Sequence, residues 1–142
     1  MTTTGIDTLD STIQKTNKIL IQIEHKLGWE SRRHQSFHSL RSVLHALRDR
    51  LNINDAVNFS AQLPILVRGI YFEGWKPESV PVKMNVDEFI QRIANETKYS
   101  AEGGIEKIIS VVLNTVFEGI DPGERFKITE SLPDDIAGLI LC

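Results

Sequence analysis

Apolar residues recur along this chain with steps of three and four positions. Two long series have this spacing: Phe37, Leu40, Leu44, Leu47 and Leu51, and then Ile105, Ile109, Val112, Val116 and Ile120. Such steps place the side chains of each series on one face of an α-helix, whereas a half-buried strand would alternate with a period of two. Because no stretch sustains that alternation, the pattern predicts an all-α fold.

An internal repeat accounts for most of the apolar pattern. A shift of 69 residues aligns Val43-Leu44 with Val112-Leu113, Leu63-Pro64 with Leu132-Pro133, and Gly69 with Gly138. Further upstream, a shift of 70 aligns Ile23 with Ile93 and Trp29 with Tyr99. Matching apolar positions indicate a duplicated core. We therefore predict two tandem copies of a four-helix unit, packed about a pseudo-twofold axis as a single domain.

Helix-start signals divide each copy into four helices. An N-cap residue with a partner three residues later occurs four times: Asn52 with Asp55, Asn85 with Glu88, Asp121 with Glu124, and Ser131 with Asp134. The predicted helices span residues 6–28, 32–51, 53–61 and 63–73, and then 86–98, 101–119, 122–131 and 133–141. The first copy covers residues 1–73 and the second 86–142, joined by a linker at 74–85 in which two prolines and a glycine exclude helix.

The Leu-Pro pair starts the fourth helix of each copy. Proline suits the first helical position because its missing N–H would have no intrahelical partner there. We predict that Leu63 and Leu132 are buried at these turns. Gly69 and Gly138 should mark close helix–helix contacts, and Trp75 in the linker should cover the core.

The first helix extends beyond its counterpart in the second copy. Ile6, Leu9 and Ile13 continue its heptad-like spacing upstream of the repeat. These side chains need a cover, which could be the join between the copies or a second chain. We favour a second chain, and hence a homodimer, because an extension outside the repeat can supply a symmetric contact.

The amino-acid composition narrows the classes to which this protein could belong. Apolar residues make up 41 % and charged residues 25 % of the 142 positions, which is ordinary for a globular chain. No apolar run is long enough for a membrane helix, and the N-terminus lacks the pattern of a secretory signal. The single cysteine, Cys142, allows no internal disulfide, and we expect it to be docked rather than reactive. We therefore expect a cytoplasmic protein that has no membrane partner.

Charge is distributed unevenly between the two halves. Residues 1–72 carry +3, from nine basic and six acidic residues, and residues 73–142 carry −6, from seven basic and thirteen acidic residues. The halves could face each other within one chain or between chains. Because the sequence pI is about 5.8 and aromatic residues are not interleaved with basic ones, we expect no nucleic-acid partner.

One run of sequence resembles a known family. Its elements are Leu44-His45-Ala46-Leu47-Arg48-Asp49-Arg50-Leu51, Ala61-Gln62-Leu63-Pro64, Arg68-Gly69-Ile70-Tyr71 and Glu73-Gly74-Trp75. They are similar to the pattern of a bacterial family called domain of unknown function 2267, specifically over residues 43–75 and more loosely over most of 19–141. The resemblance implies an all-helical two-copy domain and no established activity. Its polar motif residues are Arg48, Asp49, Arg50, Gln62, Arg68, Tyr71, Glu73 and Trp75.

A basic stripe is the most unusual feature of the second predicted helix. It consists of His34, His38, Arg41, His45 and Arg48, and the second copy has other residue types at these positions. The stripe could bind an anion or an acidic surface. His34 and His38 could share a metal ion, although no carboxylate stands beside them at a fixed spacing. The third interpretation is a solvated helix flank. An acidic group that approached the stripe would raise the pKa of its histidines.

Two groups of motif residues invite functional interpretations. Adjacent residues point about 100° apart on a helix, so the run Arg48-Asp49-Arg50 should form structural ion pairs rather than converge on a substrate. Arg68 and Tyr71 share a face and could define a small polar pocket beside Trp75, but packing at the edge of the core is the stronger interpretation.

The sequence contains no evident catalytic constellation. Ser42 and Ser110 lie within predicted helices, away from any strand–turn–helix elbow, and Gly103-Gly104 lacks the spacing of a phosphate loop. We interpret the chain as a non-catalytic helical module that acts through protein–protein contacts without a cofactor. The alternative is a small-ligand, anion or metal-binding protein that uses His34, His38 and His45, or the region of Arg68, Tyr71 and Trp75.

Overall fold

A computed structural model describes residues 4–141, which form eight α-helices. They are α1 (Asp7–Lys26), α2 (Arg33–Arg50), α3 (Ile53–Ser60), α4 (Ile65–Phe72), α5 (Val86–Glu96), α6 (Gly104–Phe117), α7 (Pro122–Ser131) and α8 (Asp134–Leu141). No strand occurs in this part of the chain, so the all-α prediction is confirmed. Cys142 lies outside the described residues.

Helices α2 and α6 form the middle of the core. They pack on each other, and both also pack on α1 and α5, while α4 packs on α2 and α8 packs on α6. Helix α3 packs on α7. Most members of the two apolar series are accordingly buried, and Phe37 and Ile105 are partly buried. The fully enclosed members are Leu40, Leu44 and Leu47 in α2 and Ile109 and Val112 in α6. Burial of each such side chain contributes about 1.5–3 kcal/mol.

A left-handed glycine ends α1 and directs the next residue into the core. Gly28 has a φ of +68°, and the Trp29 amide donates to the Glu24 carbonyl at 2.8 Å, which is the Schellman pattern. The Trp29 ring is buried and meets the Tyr99 ring edge-on at 6.2 Å. Its Nε1 donates to the Ser100 carbonyl at 3.0 Å. The turn after α1 is thereby tied to the segment before α6.

Three of the four predicted helix starts have their side-chain caps. The acceptor side chains and donor amides are Asn52 with Asp55, Asn85 with Glu88, and Asp121 with Gly123. The fourth prediction is wrong. Ser131 is the last residue of α7, and its Oγ donates to the Lys127 carbonyl at 2.8 Å. The Ser131 hydroxyl is therefore satisfied by the carbonyl four residues earlier in α7 and does not cap the next helix.

Helix α4 is capped by a side chain from α1. Pro64 is its N-cap residue rather than its first helical residue, and proline offers no side-chain acceptor. The amide of Leu66 instead donates to Oγ1 of Thr12 at 3.0 Å. The N-terminal part of α1 therefore lies on α4 of the same chain, and Thr12 is buried there.

Two pairs of glycines have surroundings or effects that differ from the sequence predictions. An added Cβ at Gly69 or Gly138 would meet no atom within 4 Å, so the predicted close helix contacts are wrong. Gly103 and Gly104 have φ values of +98° and +76°. Because L side chains rarely adopt such backbone angles, this pair delays the start of α6 to Gly104, three residues after the predicted position.

The linker contains a short helical turn that the sequence did not predict. Pro77–Ser79 forms one 3₁₀ turn, with proline at its start. Trp75 is partly buried and packs on the core, with its ring 5.1 Å from that of Phe72. Met84 is buried at the other end of the linker. The predicted covering role of Trp75 therefore agrees with its position.

Leucine truncation tests the importance of the two Leu-Pro turns. Leu63 and Leu132 are 4 % and 5 % exposed, as predicted from the repeat. We expect Leu63→Ala and Leu132→Ala each to lower the free energy of unfolding by about 2–5 kcal/mol, because each leaves a cavity. The measurement is urea denaturation. The control is Ile21→Ala, since Ile21 is 46 % exposed; a loss below about 0.5 kcal/mol at both buried positions would contradict the expectation.

Candidate functional site

The end of α2 supplies hydrogen-bond donors to the end of α4. Nη1 of Arg48 donates to the carbonyls of Tyr71 and Glu73 at 2.9 and 2.7 Å. Nε2 of His45 lies 2.7 Å from the Ile70 carbonyl, so this nitrogen carries the proton and donates. Both His45 and Arg48 are buried. They supply donors at the end of α4, where the last turn of a helix lacks internal donors. The Ile70 carbonyl also accepts from the Glu73 amide at 3.3 Å.

Asp49 neutralises the buried guanidinium. Its Oδ1 and Oδ2 accept from Nε and Nη2 of Arg48 at 2.8 and 3.2 Å. Oδ2 also accepts from Nη2 of Arg92 on α5 at 2.6 Å. Burial by itself would raise the pKa of Asp49, but the two arginines outweigh burial and hold the pKa below its usual range. The cluster therefore joins the first half of the chain to α5.

Arg68 and Tyr71 perform the same task for α3. Nε and Nη2 of Arg68 donate to the carbonyls of Ser60 and Leu63 at 2.9 and 3.1 Å. The Tyr71 hydroxyl donates to the Ala56 carbonyl at 2.9 Å, and burial raises the pKa of Tyr71. These two side chains hold the end of a two-turn helix. Because both side chains donate to main-chain carbonyls, Arg68 and Tyr71 agree with the interpretation that they pack at the edge of the core.

The basic stripe divides into a buried part and a surface part. His45 and Arg48 are buried, so a solvated flank is the wrong description for this part. At the surface, Nε of Arg41 donates to Glu73 at 3.1 Å. The rings of His34 and His38 stack at 5.8 Å, and His38 also faces Tyr99 at 6.3 Å. Within residues 4–141, no group of three His, Cys, Asp or Glu side chains could hold a metal ion.

The other motif residues have separate surroundings. Nε of Arg50 donates to the Met84 carbonyl at 3.3 Å, which fixes the end of the linker. The indole Nε1 of Trp75 is enclosed and has no hydrogen-bond partner among the described residues. The side chain of Gln62 lines an open cleft between α1 and the turn that precedes α4. The motif is therefore mainly a set of side chains that hold main-chain segments, whereas Glu73 is exposed and Gln62 lines the cleft.

The ion pair of Asp49 with Arg92 on α5 agrees with the prediction that the run Arg48-Asp49-Arg50 forms structural ion pairs, and Asp49 also pairs with its neighbour Arg48. Their Cβ atoms point in different directions, but the arginine side chain is long enough to turn back to its neighbour. The sequence reasoning missed Arg92 and Thr12. The signal for Thr12 was present: Thr12 and Thr16 are polar residues in the face of α1 that is otherwise apolar, and both are buried.

Comparison with known families finds a match over most of the chain. A family model described as Uncharacterized conserved protein (DUF2267) matches residues 16–139. The chain belongs to this family. In this DUF2267 chain, the match includes every motif residue described above and excludes the first part of α1. A comparison with curated proteins finds no match. Among residues 4–141, no helix has the length and apolarity required to cross a membrane.

Removal of Asp49 tests the buried cluster of this DUF2267 chain. We expect Asp49→Ala to lower the free energy of unfolding by about 3–5 kcal/mol, because it leaves the Arg48 charge buried without its carboxylate. Chemical denaturation near neutral pH measures this loss. Glu130→Ala, at an exposed position on α7, is the control and should change stability by about 0.5 kcal/mol or less. Equal effects of the two substitutions would refute the assigned role of Asp49.

The protonation of His45 should make stability depend on pH. Burial, helped by Arg48 and Arg41, lowers the pKa of His45 from 6.5, and the Ile70 carbonyl and Glu73 oppose this only in part. Glu73 acts in the direction expected of an acidic neighbour, but burial outweighs it, so the net shift of the His45 pKa is downward. Because the unfolded state takes up this proton more readily, the contribution of His45 is complete above pH 6.5. It decreases as pH falls from there towards the folded pKa.

Thermal unfolding of His45→Gln at about pH 7.5 and about pH 5.5 measures this contribution. We expect the loss of stability on acidification to be smaller in this variant than in the unmodified chain. His34→Gln is the control, because His34 is exposed on the same helix, and it should retain the pH dependence of the unmodified chain. If His45→Gln retains that dependence in full, protonation of His45 does not destabilise the fold.

Proposed function

We propose that this chain is a non-catalytic cytoplasmic helical module that acts through protein–protein contact, as a homodimer. The observation that supports this proposal is an apolar groove on the surface between α1 and α4. It is lined by Ile13, Thr16, Asn17, Leu20, Phe37, Leu66, Gly69, Ile70 and Glu73, and we call it the α1–α4 groove. Its lining is mainly apolar, which is typical of a surface that receives another protein element.

Exposed side chains continue the groove towards the N-terminus. Leu9 lies four residues before Ile13 on α1, so it shares the groove-facing side of the helix. Ile6 directly precedes the helix as its N-cap residue, in an extended conformation. Ile6 and Leu9 are 54 % and 42 % exposed, and Leu66 on α4 is 43 % exposed. Because Gly69 has no side chain and open space around it, the floor of the groove stays accessible. A partner that covered these residues would remove a contiguous apolar surface from water.

A second copy is the partner that we infer. Leu9 at the start of α1, together with Ile6 directly before the helix, would form an apolar ridge beside the groove on the same molecule. A ridge and a groove on one surface can be self-complementary about a twofold axis, where each α1 would lie in the groove of the other chain. The groove includes Gly69 and Ile70 of the family motif and an extension of α1 that begins before the family match.

We also propose that the monomer consists of two tandem copies related by a pseudo-twofold axis. Three helix contacts have counterparts when α1–α4 are exchanged with α5–α8. The contact of α1 with α2 corresponds to that of α5 with α6, α1 with α6 to α5 with α2, and α2 with α4 to α6 with α8. The pairs α2–α6 and α3–α7 convert into themselves. The contact between Trp29 and Tyr99, which align at a shift of 70, supports an axis close to these rings.

Solution mass tests the homodimer. We expect sedimentation equilibrium of the full chain at micromolar concentrations to give twice the 16.1 kDa of one chain. Ile6→Glu and Leu66→Glu should each shift the equilibrium to the monomer, because a carboxylate would be buried in the apolar contact.

The matched control for this experiment is Ile21→Glu. Ile21 is 46 % exposed on α1, but it does not line the groove. This control should therefore retain the mass of the unmodified chain. A full chain that stays monomeric across the micromolar range would end the proposal, and so would equal dissociation by all three substitutions.

A further inference from the structure

A second cleft lies on the opposite flank of α1 from the α1–α4 groove. It is bounded by α1, by the turn before α4 and by the end of α6, and its volume is about 480 Å³. The lining consists of Lys15, Lys18, Ile19, Gln22, Gln62, Leu63, Pro64, Thr115, Val116, Glu118 and Gly119. Clefts in the range of about 300–1,000 Å³ accommodate small organic molecules.

The charges of this cleft leave two ammonium groups without a counter-ion. Within the described part of the chain, no carboxylate lies within 4.0 Å of Nζ of Lys15 or Lys18. The one lining carboxylate, Glu118, is 2.9 Å from Nζ of Lys26, which also donates to Oγ1 of Thr115 at 3.1 Å. That pair is internally neutral, so the remaining field in the cleft is positive.

Two amides and an apolar wall complete the cleft. The side chains of Gln22 and Gln62 make no hydrogen bond with residues 4–141, which leaves their NH₂ groups available as donors. Ile19 and Pro64 supply apolar surface beside them. Leu63 and Val116, which also border the cleft, are buried core residues. The wall is therefore rigid, in contrast to the lysine side chains that face it.

We propose that this cleft binds a small organic anion, in which a carboxylate or a phosphate monoester is joined to an apolar group. The anionic end would lie between Lys15 and Lys18 and accept from the amides of Gln22 and Gln62. The apolar group would lie on Ile19 and Pro64. Gln62 and its Leu-Pro neighbours belong to the family motif, and this site would give Gln62 a function. The site is independent of the homodimer, because the two surfaces are on different flanks of α1.

Side-chain amide NMR tests this site directly. The probes are phenyl phosphate, hexanoate and inorganic phosphate, each titrated at constant ionic strength and pH into the full chain. We expect saturable shifts of the Gln22 and Gln62 side-chain signals with phenyl phosphate, with hexanoate or with both. Inorganic phosphate should bind more weakly, because it has no apolar group to place on the wall. The probe that binds more tightly distinguishes a phosphate monoester from a carboxylate.

Two variants separate a formed site from general charge attraction. Lys15→Ala combined with Lys18→Ala should weaken binding roughly tenfold, as expected for two charge contacts at a partly open site. Gln62→Leu should also weaken it, although the net charge is unchanged. Lys83→Ala combined with Lys98→Ala is the control, since both lysines are exposed and do not line the cleft.

The proposal has two outcomes that would overturn it. The first is the absence of a saturable shift at either glutamine with phenyl phosphate and hexanoate. The second is equal binding by the unmodified chain and Gln62→Leu, because attraction that depends on lysine charge alone requires no site. All three variants change surface side chains, and their amide spectra report directly whether each retains the fold.

Discussion

The hydrogen bonds from the Arg48 guanidinium to the last carbonyls of α4 are the interaction on which the first half of the structure depends. Helices α3 and α4 have only eight residues each, so a large share of their carbonyls lack a partner within the helix. Their ends lie against the core, where an unpaired carbonyl is costly. Arg48 brings donors to this place, but its buried charge then requires Asp49, and Asp49 in turn also pairs with Arg92. The need to pair the carbonyls at the end of α4 thus leads, through Arg48 and Asp49, to an ion pair with α5.

This constraint changes how the family motif is understood. Basic and aromatic polar residues that cluster in a short motif suggest ligand binding, yet His45, Arg48, Arg68 and Tyr71 donate to main-chain carbonyls. Their chemistry is satisfied within the fold. The surfaces that remain open lie on the two flanks of α1, one mainly apolar and one basic. Our functional proposals therefore concern the surfaces where the motif meets α1. Gln62 lines the basic cleft, and Gly69 lies in the α1–α4 groove.

Periodicity was sufficient to predict the helices but not the polar contacts. The steps of three and four identified α2 and α6, and the alignment of Leu63 with Leu132 correctly placed two buried residues. The reach of the Arg48 side chain was not predictable from its direction at Cβ. The cap of α4 was missed for another reason. The polar position of Thr12 in the apolar face of α1 was visible in the sequence, but its partner Leu66 lies more than fifty positions downstream, and local sequence does not identify so distant a partner.

The central claim is that the motif residue Arg48 acts on the backbone of α4. Native-state hydrogen exchange of Arg48→Met tests this most directly, because methionine retains much of the apolar stem and removes the donors. The account predicts a loss of about 3–5 kcal/mol in global stability, and exchange of the amides of Ile65–Phe72 through local opening rather than only through global unfolding. Unchanged stability, with protection of α4 equal to that in the unmodified chain, would contradict it.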